Sequence, residues 1–153
     1  MSVSKVSAEE RQKMIAEAAY FRAKERGFKG GDSLVDWVEA ETDVDARLQQ
    51  MEHNALLERL QEQFAAAGDN MQSLRRKVAR KKVEARSEWQ KELEKLAELR
   101  DAFEQKLEEL RERGQHAGRK LKVQAEDIAE EIAQKLSEIA GRLNSRRRTT
   151  RKK

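Results

Sequence analysis

The sequence predicts an all-α chain: a small N-terminal helical pair, then long coiled-coil helices in an elongated arrangement, then a disordered basic tail. Three observations carry this. Apolar residues recur in alternating steps of four and three from Met71 to Leu143, the spacing that lines one stripe of a helix. No proline interrupts the 153 residues, and 41% of them are charged, a composition typical of long helices. Only 5% are aromatic, too few to fill a thick globular core.

The first helix is expected from Ala8 to Arg26. Ser7 and Glu10 have capping-box spacing, and Glu9 and Glu10 suit the positive end of the helix dipole. Met14, Ile15, Ala18, Ala19 and Phe21 give it an apolar side, and Gly27 is placed to end it in a left-handed conformation. After Phe28, Lys29, Gly30 and Gly31, Asp32 or Ser33 caps a second helix whose Leu34, Trp37, Val38 and Val44 can close onto the first. Tyr20 and Trp37 are expected in the core of this pair, since aromatics dominate small cores.

Residues Ile15, Ala19-Tyr20, Gly27, Gly31-Asp32, Trp37 and Ala40-Glu41 resemble the short bacterial family catalogued as domain of unknown function 2934. The resemblance covers roughly Ser7 to Leu48 and implies a bacterial source and a small helical module. It implies no activity. The chain lacks the proline often found in that family's turn. The expected division is therefore 1–48 for this module, 49–143 for a coiled-coil or helical-hairpin region, and 144–153 for the tail.

The second helix is expected to run from Leu34 to Ala67 and to stop at Gly68-Asp69-Asn70, a strong turn signal. The third is expected from Met71 to Leu143. Its seam reads Met71, Leu74, Val78, Lys82, Ala85, Trp89, Leu93, Leu96, Arg100, Phe103, Leu107, Leu110, Gly114, Ala117, Leu121, Ala125, Ile128 and Ile132, then shifts at one stutter to Leu136, Ile139 and Leu143. Gly114 and Gly118 weaken it, leaving a kink or a full reversal open. Trp89, Leu93, Leu96, Phe103, Leu107, Leu110, Leu121, Ile128 and Ile132 are the candidate coiled-coil interface. They require either a partner, a second copy or another helical protein, or an intramolecular bundle.

Charge is segregated. Arg75, Arg76, Lys77, Arg80, Lys81, Lys82 and Arg86 face only Glu84 within their stretch, and Arg142, Arg146, Arg147, Arg148, Arg151, Lys152 and Lys153 face no acid at all. The net charge is only +4, so the remainder is acidic. The two clusters are candidate polyanion-binding sites. The plainer reading of the first is that it lies against the acidic helix before it, which carries Glu52, Glu58 and Glu62. If the chain reverses at Gly114 to Gly118, antiparallel packing merges both clusters into one basic end.

Catalytic constellations fail. His53 and His116 lie on separate segments with no cysteine to join them, and neither has Glu-x-x-His spacing. The turn Gly27 to Ser33 lacks the ending of a phosphate loop. Pairs such as Glu88 with Glu92 and Glu104 with Glu108 read as solvated flanking charges. The start of the chain has no apolar signal core, and no run approaches the roughly 18 apolar residues of a membrane span. The expectation is thus a cytoplasmic, non-enzymatic scaffold or interaction protein with no cofactor. The alternative is a nucleic-acid-associated protein that grips phosphates, and a weaker third reading is adsorption to an anionic membrane or polymer surface.

Overall fold

The structure, a computed structural model, describes residues 5–151, with side chains described as far as Ser145. The described residues form four α-helices and no strand: α1 (Ala8–Glu25), α2 (Ser33–Ala79), α3 (Val83–Arg113) and α4 (Arg119–Arg151), with one 3-10 turn at Gly114–His116. Two compact units result, Met1–Ala55 and Leu56–Lys153.

In the N-terminal unit the local signals act as the sequence implies. The Ser7 hydroxyl accepts from the Glu10 N–H at 3.2 Å while the Ser7 N–H donates to the Glu10 carboxylate at 3.3 Å. Two orphan donors are thereby satisfied. At the other end Gly27 takes φ +68. The Gly27 N–H then donates to the Lys24 carbonyl and the Phe28 N–H to the Ala23 carbonyl, both at 2.9 Å, a Schellman ending. Asp32 caps α2 by accepting from the Leu34 N–H at 2.9 Å.

The core of this unit keeps the expected Met14, Ile15, Ala18, Ala19 and Val44 but not the expected aromatics. Ile15, Ala40 and Val44 are buried, with Met14, Ala18, Ala19 and Leu48 packed on them. Tyr20 and Trp37, assigned above to the core, remain 53% and 38% exposed, and Phe21, Leu34 and Val38 lie outside it too. Small side chains at the crossing let α1 and α2 approach closely, which leaves no room for rings between them. Ion pairs supplement the slight core. Arg11 reaches Glu41 and Asp45 at 2.8 Å, Arg22 pairs with Glu39 and Asp43, and Arg26 forms a two-pronged pair with the buried carboxylate of Asp36.

The C-terminal unit is a three-helix bundle. The last six turns of α2 pack antiparallel to α3, as the contact of the Phe64 and Phe103 rings at 5.9 Å shows. Helix α3 packs antiparallel to α4, with Arg142 stacked over Trp89 at 4.8 Å. Parallel α2 and α4 meet through Arg59 and Glu126 at 2.8 Å. One continuous apolar cluster runs through all three, from Leu60, Met71 and Val78 through Trp89, Leu96, Phe103 and Leu107 to Leu121, Ile132 and Leu143. Burying a Leu or Ile side chain stabilises by about 1.5–3 kcal/mol each, so the seam is the dominant source of stability here.

Two expected boundaries are overturned. Helix α2 passes through Gly68, Asp69 and Asn70 without a break. Gly68 serves as a slot: the Arg100 guanidinium lies across it, and a Cβ there would stand 2.6 Å from Arg100 Nη2. The same guanidinium sits 4.2 Å from the centroid of the Phe64 ring, so glycine here trades helix propensity for a packed arginine. The single helix expected from Met71 to Leu143 is likewise broken, at residues 80–82 and 114–118. At the first break Lys82 is extended, with φ −58 and ψ 147. Arg86 closes the end of α2, donating through Nε to the Lys81 carbonyl at 2.7 Å and through Nη2 to the Ala79 carbonyl at 2.8 Å. A cation at a helix C-terminus satisfies orphan carbonyls and complements the dipole.

At the second break Gly114 has φ +58 and the chain reverses, resolving the alternative that the glycines left open. Helix α4 continues beyond Leu143, the residue where it was expected to end. Its backbone stays helical to Arg151, and the Ser145 hydroxyl donates to the Arg142 carbonyl at 3.0 Å. The expected disordered state of Lys152, Lys153 and the side chains from Arg146 onward falls outside the described residues.

Candidate nucleic-acid interface

The end of the bundle that carries the α2–α3 turn gathers the basic residues. Helix α2 delivers Arg75, Arg76 and Lys77 on its last turns, and Arg80 follows directly after its end, all exposed. Lys81 and Lys82 form the turn, half-buried and exposed respectively, and Arg86 stands on the first turn of α3. From α4, Arg142 comes to the same end because the reversal at 114–118 runs α4 back along α3. Arg142 Nη1 donates to Glu92 at 2.6 Å. Trp89 lies only about 9 Å along α3 from Val83, at ~1.5 Å per residue. Lys77 and Ala140 line opposite sides of one groove, an independent sign that the two basic segments share a level.

The members of the cluster differ in availability. Arg86 is committed to the backbone of the turn, and Arg142 is held by Glu92 and the Trp89 ring. Arg75, Arg76, Lys77, Arg80, Lys81 and Lys82 form no ion pair with a described residue. The acidic screen suggested above does not form in this unit, because Glu58 and Glu62 stand on the same unbroken helix, with Glu62 roughly 20 Å upstream of Arg75 at ~1.5 Å per residue. Crowded, unpaired cations at a helix C-terminus make a localised positive field. Away from the end, the α3–α4 surface alternates in sign through Glu92, Lys95, Lys135 and Glu138, which confines that field.

Positions 146–151 extend α4 past Arg142 by roughly 13 Å, at ~1.5 Å per residue. Arg146, Arg147, Arg148 and Arg151 therefore belong to the continuation of α4 toward the basic end. Lys152 and Lys153 lie outside the described residues.

The candidate coiled-coil residues have a different fate. Trp89, Leu93, Leu96, Phe103, Leu107, Leu110, Leu121 and Ile132 are buried within the bundle of the same chain, and half-buried Ile128 packs on them. They are occupied by each other. What the bundle leaves between α2 and α4 is a groove of about 420 Å³ lined by small residues, among them Ala66, Ala67, Ser73, Ala133 and Ser137. Sequence reasoning missed this groove, since alanine and serine at surface positions carry no periodic signal. It also missed the exposed aromatic group of Tyr20, Phe21 and Phe28.

Residues 10–46 match the profile of a family described as a protein of unknown function, DUF2934, in agreement with the resemblance read from the first helical pair. No curated protein and no solved structure matches the chain significantly. Among the described residues, no helix is long and apolar enough to cross a membrane.

Proposed function

We propose that this chain is a non-enzymatic interaction protein whose C-terminal bundle holds the phosphate backbone of nucleic acid at its basic end. The observation that carries the reading is the reversal at Gly114–His116, which sets Arg142 against Trp89 and so brings the first residue of the second cluster to the end that carries the first. Lysine and arginine on phosphates position a duplex without reading its bases. Six unpaired cations suffice for strong salt dependence: six phosphate contacts cost roughly a thousandfold in affinity between about 50 and 200 mM salt. A bacterial cytoplasmic setting belongs to the same proposal.

The test is titration of a labelled duplex with the full chain and with a chain lacking 145–153, at two salt concentrations. The proposal expects binding that weakens steeply with salt, and a shallower salt slope after the deletion. No binding by the intact chain at low salt would contradict it.

A second reading, a scaffold that docks a helical partner or a second copy, is favoured by the groove between α2 and α4. Parallel helices with small facing residues admit a further helix at close range. Sedimentation without nucleic acid would test it, self-association supporting this reading and a monomer at all concentrations opposing the second-copy form.

A further inference from the structure

We infer that Tyr20, Phe21 and Phe28 of the N-terminal unit form a stacking platform for the unpaired bases of single-stranded nucleic acid, flanked by Lys24 and Lys29 for its phosphates. The inference rests on the nucleic-acid reading above and adds a second, chemically different site to it. The three rings are 53%, 50% and 62% exposed, yet they are gathered: Tyr20 lies 5.7 Å from Phe21 and 5.7 Å from Phe28, centroid to centroid. None of them contributes to the core of Ile15, Ala40 and Val44. Three aromatic rings grouped in water offer flat apolar faces that the fold itself does not use.

Phe28 is the most informative of the three. It is the one non-glycine among the described residues with positive φ, at +58, in a region that bulky side chains rarely occupy. The other positive-φ residues of the turn, Gly27, Gly30 and Gly31, are glycines at φ +68, +70 and +82, the residue type such a conformation favours. A ring held in a strained backbone, packed on Tyr20 yet mostly in solvent, adds nothing to the buried core, and such strain gathers where a side chain is presented to a ligand.

The surroundings select the ligand. Lys24 Nζ stands 5.9 Å from the Phe21 centroid, and Lys29 follows Phe28 directly. Between Tyr20 and Gly31 only Glu25 opposes the basic residues, while Arg22 and Arg26 are already engaged by Glu39, Asp43 and Asp36. Side chains added at Gly27 or Gly30 would meet nothing within 4 Å, so a strand can approach the turn. Rings for π faces and lysines for phosphates are the two components of sequence-tolerant single-strand binding. A duplex hides its base faces and gains nothing from the platform.

The experiment compares three labelled probes bound to the full chain: a strand of about ten thymidines, an abasic strand of the same length, and a duplex, lengths within the range one such site covers. The wild-type chain is expected to prefer the thymidine strand to the abasic strand by about tenfold, the effect of stacking one base or more. Phe28→Gly keeps the backbone conformation, so it removes the ring without disturbing the fold. Together with Tyr20→Ala it should abolish that preference while leaving duplex affinity unchanged. Equal binding of thymidine and abasic strands by wild type, with the duplex still bound, overturns the platform and leaves the basic end intact. Failure to bind any probe overturns both. A preference that survives in the doubly substituted chain, or loss of self-association as the only change, assigns the rings another role and overturns the inference.

Discussion

A methyl group at Gly68 would stand 2.6 Å from Nη2 of Arg100, although the two residues lie on different helices and 32 positions apart in sequence. Glycine in a helix interior costs about 1 kcal/mol relative to alanine. At this position it admits a guanidinium stacked on Phe64, worth ~0.5–1 kcal/mol or more when partly desolvated. Gly68→Ala should therefore give little of the usual gain in the wild-type chain. In an Arg100→Ala background the same substitution should stabilise by about 1 kcal/mol. Thermal melts of the four proteins give the coupling, and equal effects in both backgrounds would show that the slot is not used.

The seam provides the next expectation. Leu96 and Leu107 are almost wholly buried, and truncating such a leucine to alanine costs about 2–5 kcal/mol. Leu96→Asp and Leu107→Asp should cost more, because an unpaired carboxylate is forced among apolar side chains. Urea denaturation followed by helical circular dichroism tests this. Wild-type midpoints for both aspartate variants would remove support for the seam.

Phe28→Gly is expected to stabilise the N-terminal unit. The substitution relieves a left-handed conformation that costs a residue with a Cβ roughly 1–2 kcal/mol, and the mostly exposed ring gives up only its contact with Tyr20. Part of the gain is lost to the greater freedom of glycine in the unfolded chain. A small rise in melting temperature is the expected result, and a fall would show that the contact with Tyr20 outweighs the backbone strain.

Acid should loosen the N-terminal pair first. Asp36 has its pKa held below the ordinary carboxylate range by hydrogen bonding to Arg26, and Asp45 likewise by Arg11. Folded pKa values below the unfolded ones mean that the unfolded chain binds protons more readily. This stability is therefore complete above the unfolded value near 3.9 and is lost as pH falls through the depressed folded values. Amide exchange along α1 measured from about pH 5 down to pH 2 should show protection falling in that window. Constant protection would contradict the role of these pairs.

Much of the fold was legible because its signals are local. The Ser7–Glu10 cap, the Gly27 ending and the Asp32 cap each depend on a few adjacent residues, and the heptad named the buried stripe almost residue by residue. The helix ends inside the bundle were not legible in the same way. Gly68-Asp69-Asn70 carries the composition of a turn, but its conformation is decided by Arg100, a residue on another helix. The true turn, Arg80-Lys81-Lys82, contains neither glycine nor proline. Its signals are a lysine at a seam position and Arg86 four residues on, and the latter is recognisable as a cap only once the chain has turned. For the basic end, the sequence supplied both clusters and the condition for joining them. Whether the condition held depended on Gly114 adopting positive φ, which spacing does not decide.

The most direct test of one basic end is a distance. The chain has no cysteine, so spin labels can be placed on Lys82→Cys and Ser145→Cys, both exposed positions, and their separation measured by dipolar spectroscopy. Adjacent antiparallel helices lie about 8–10 Å apart, and the two positions sit at nearly the same level of the bundle, so with label arms the separation should be roughly 15–25 Å. A continuous helix through 114–118 would instead hold the labels roughly 95 Å apart, at ~1.5 Å per residue. A short distance supports a single basic end, and a long one contradicts both the bundle and the site built on it.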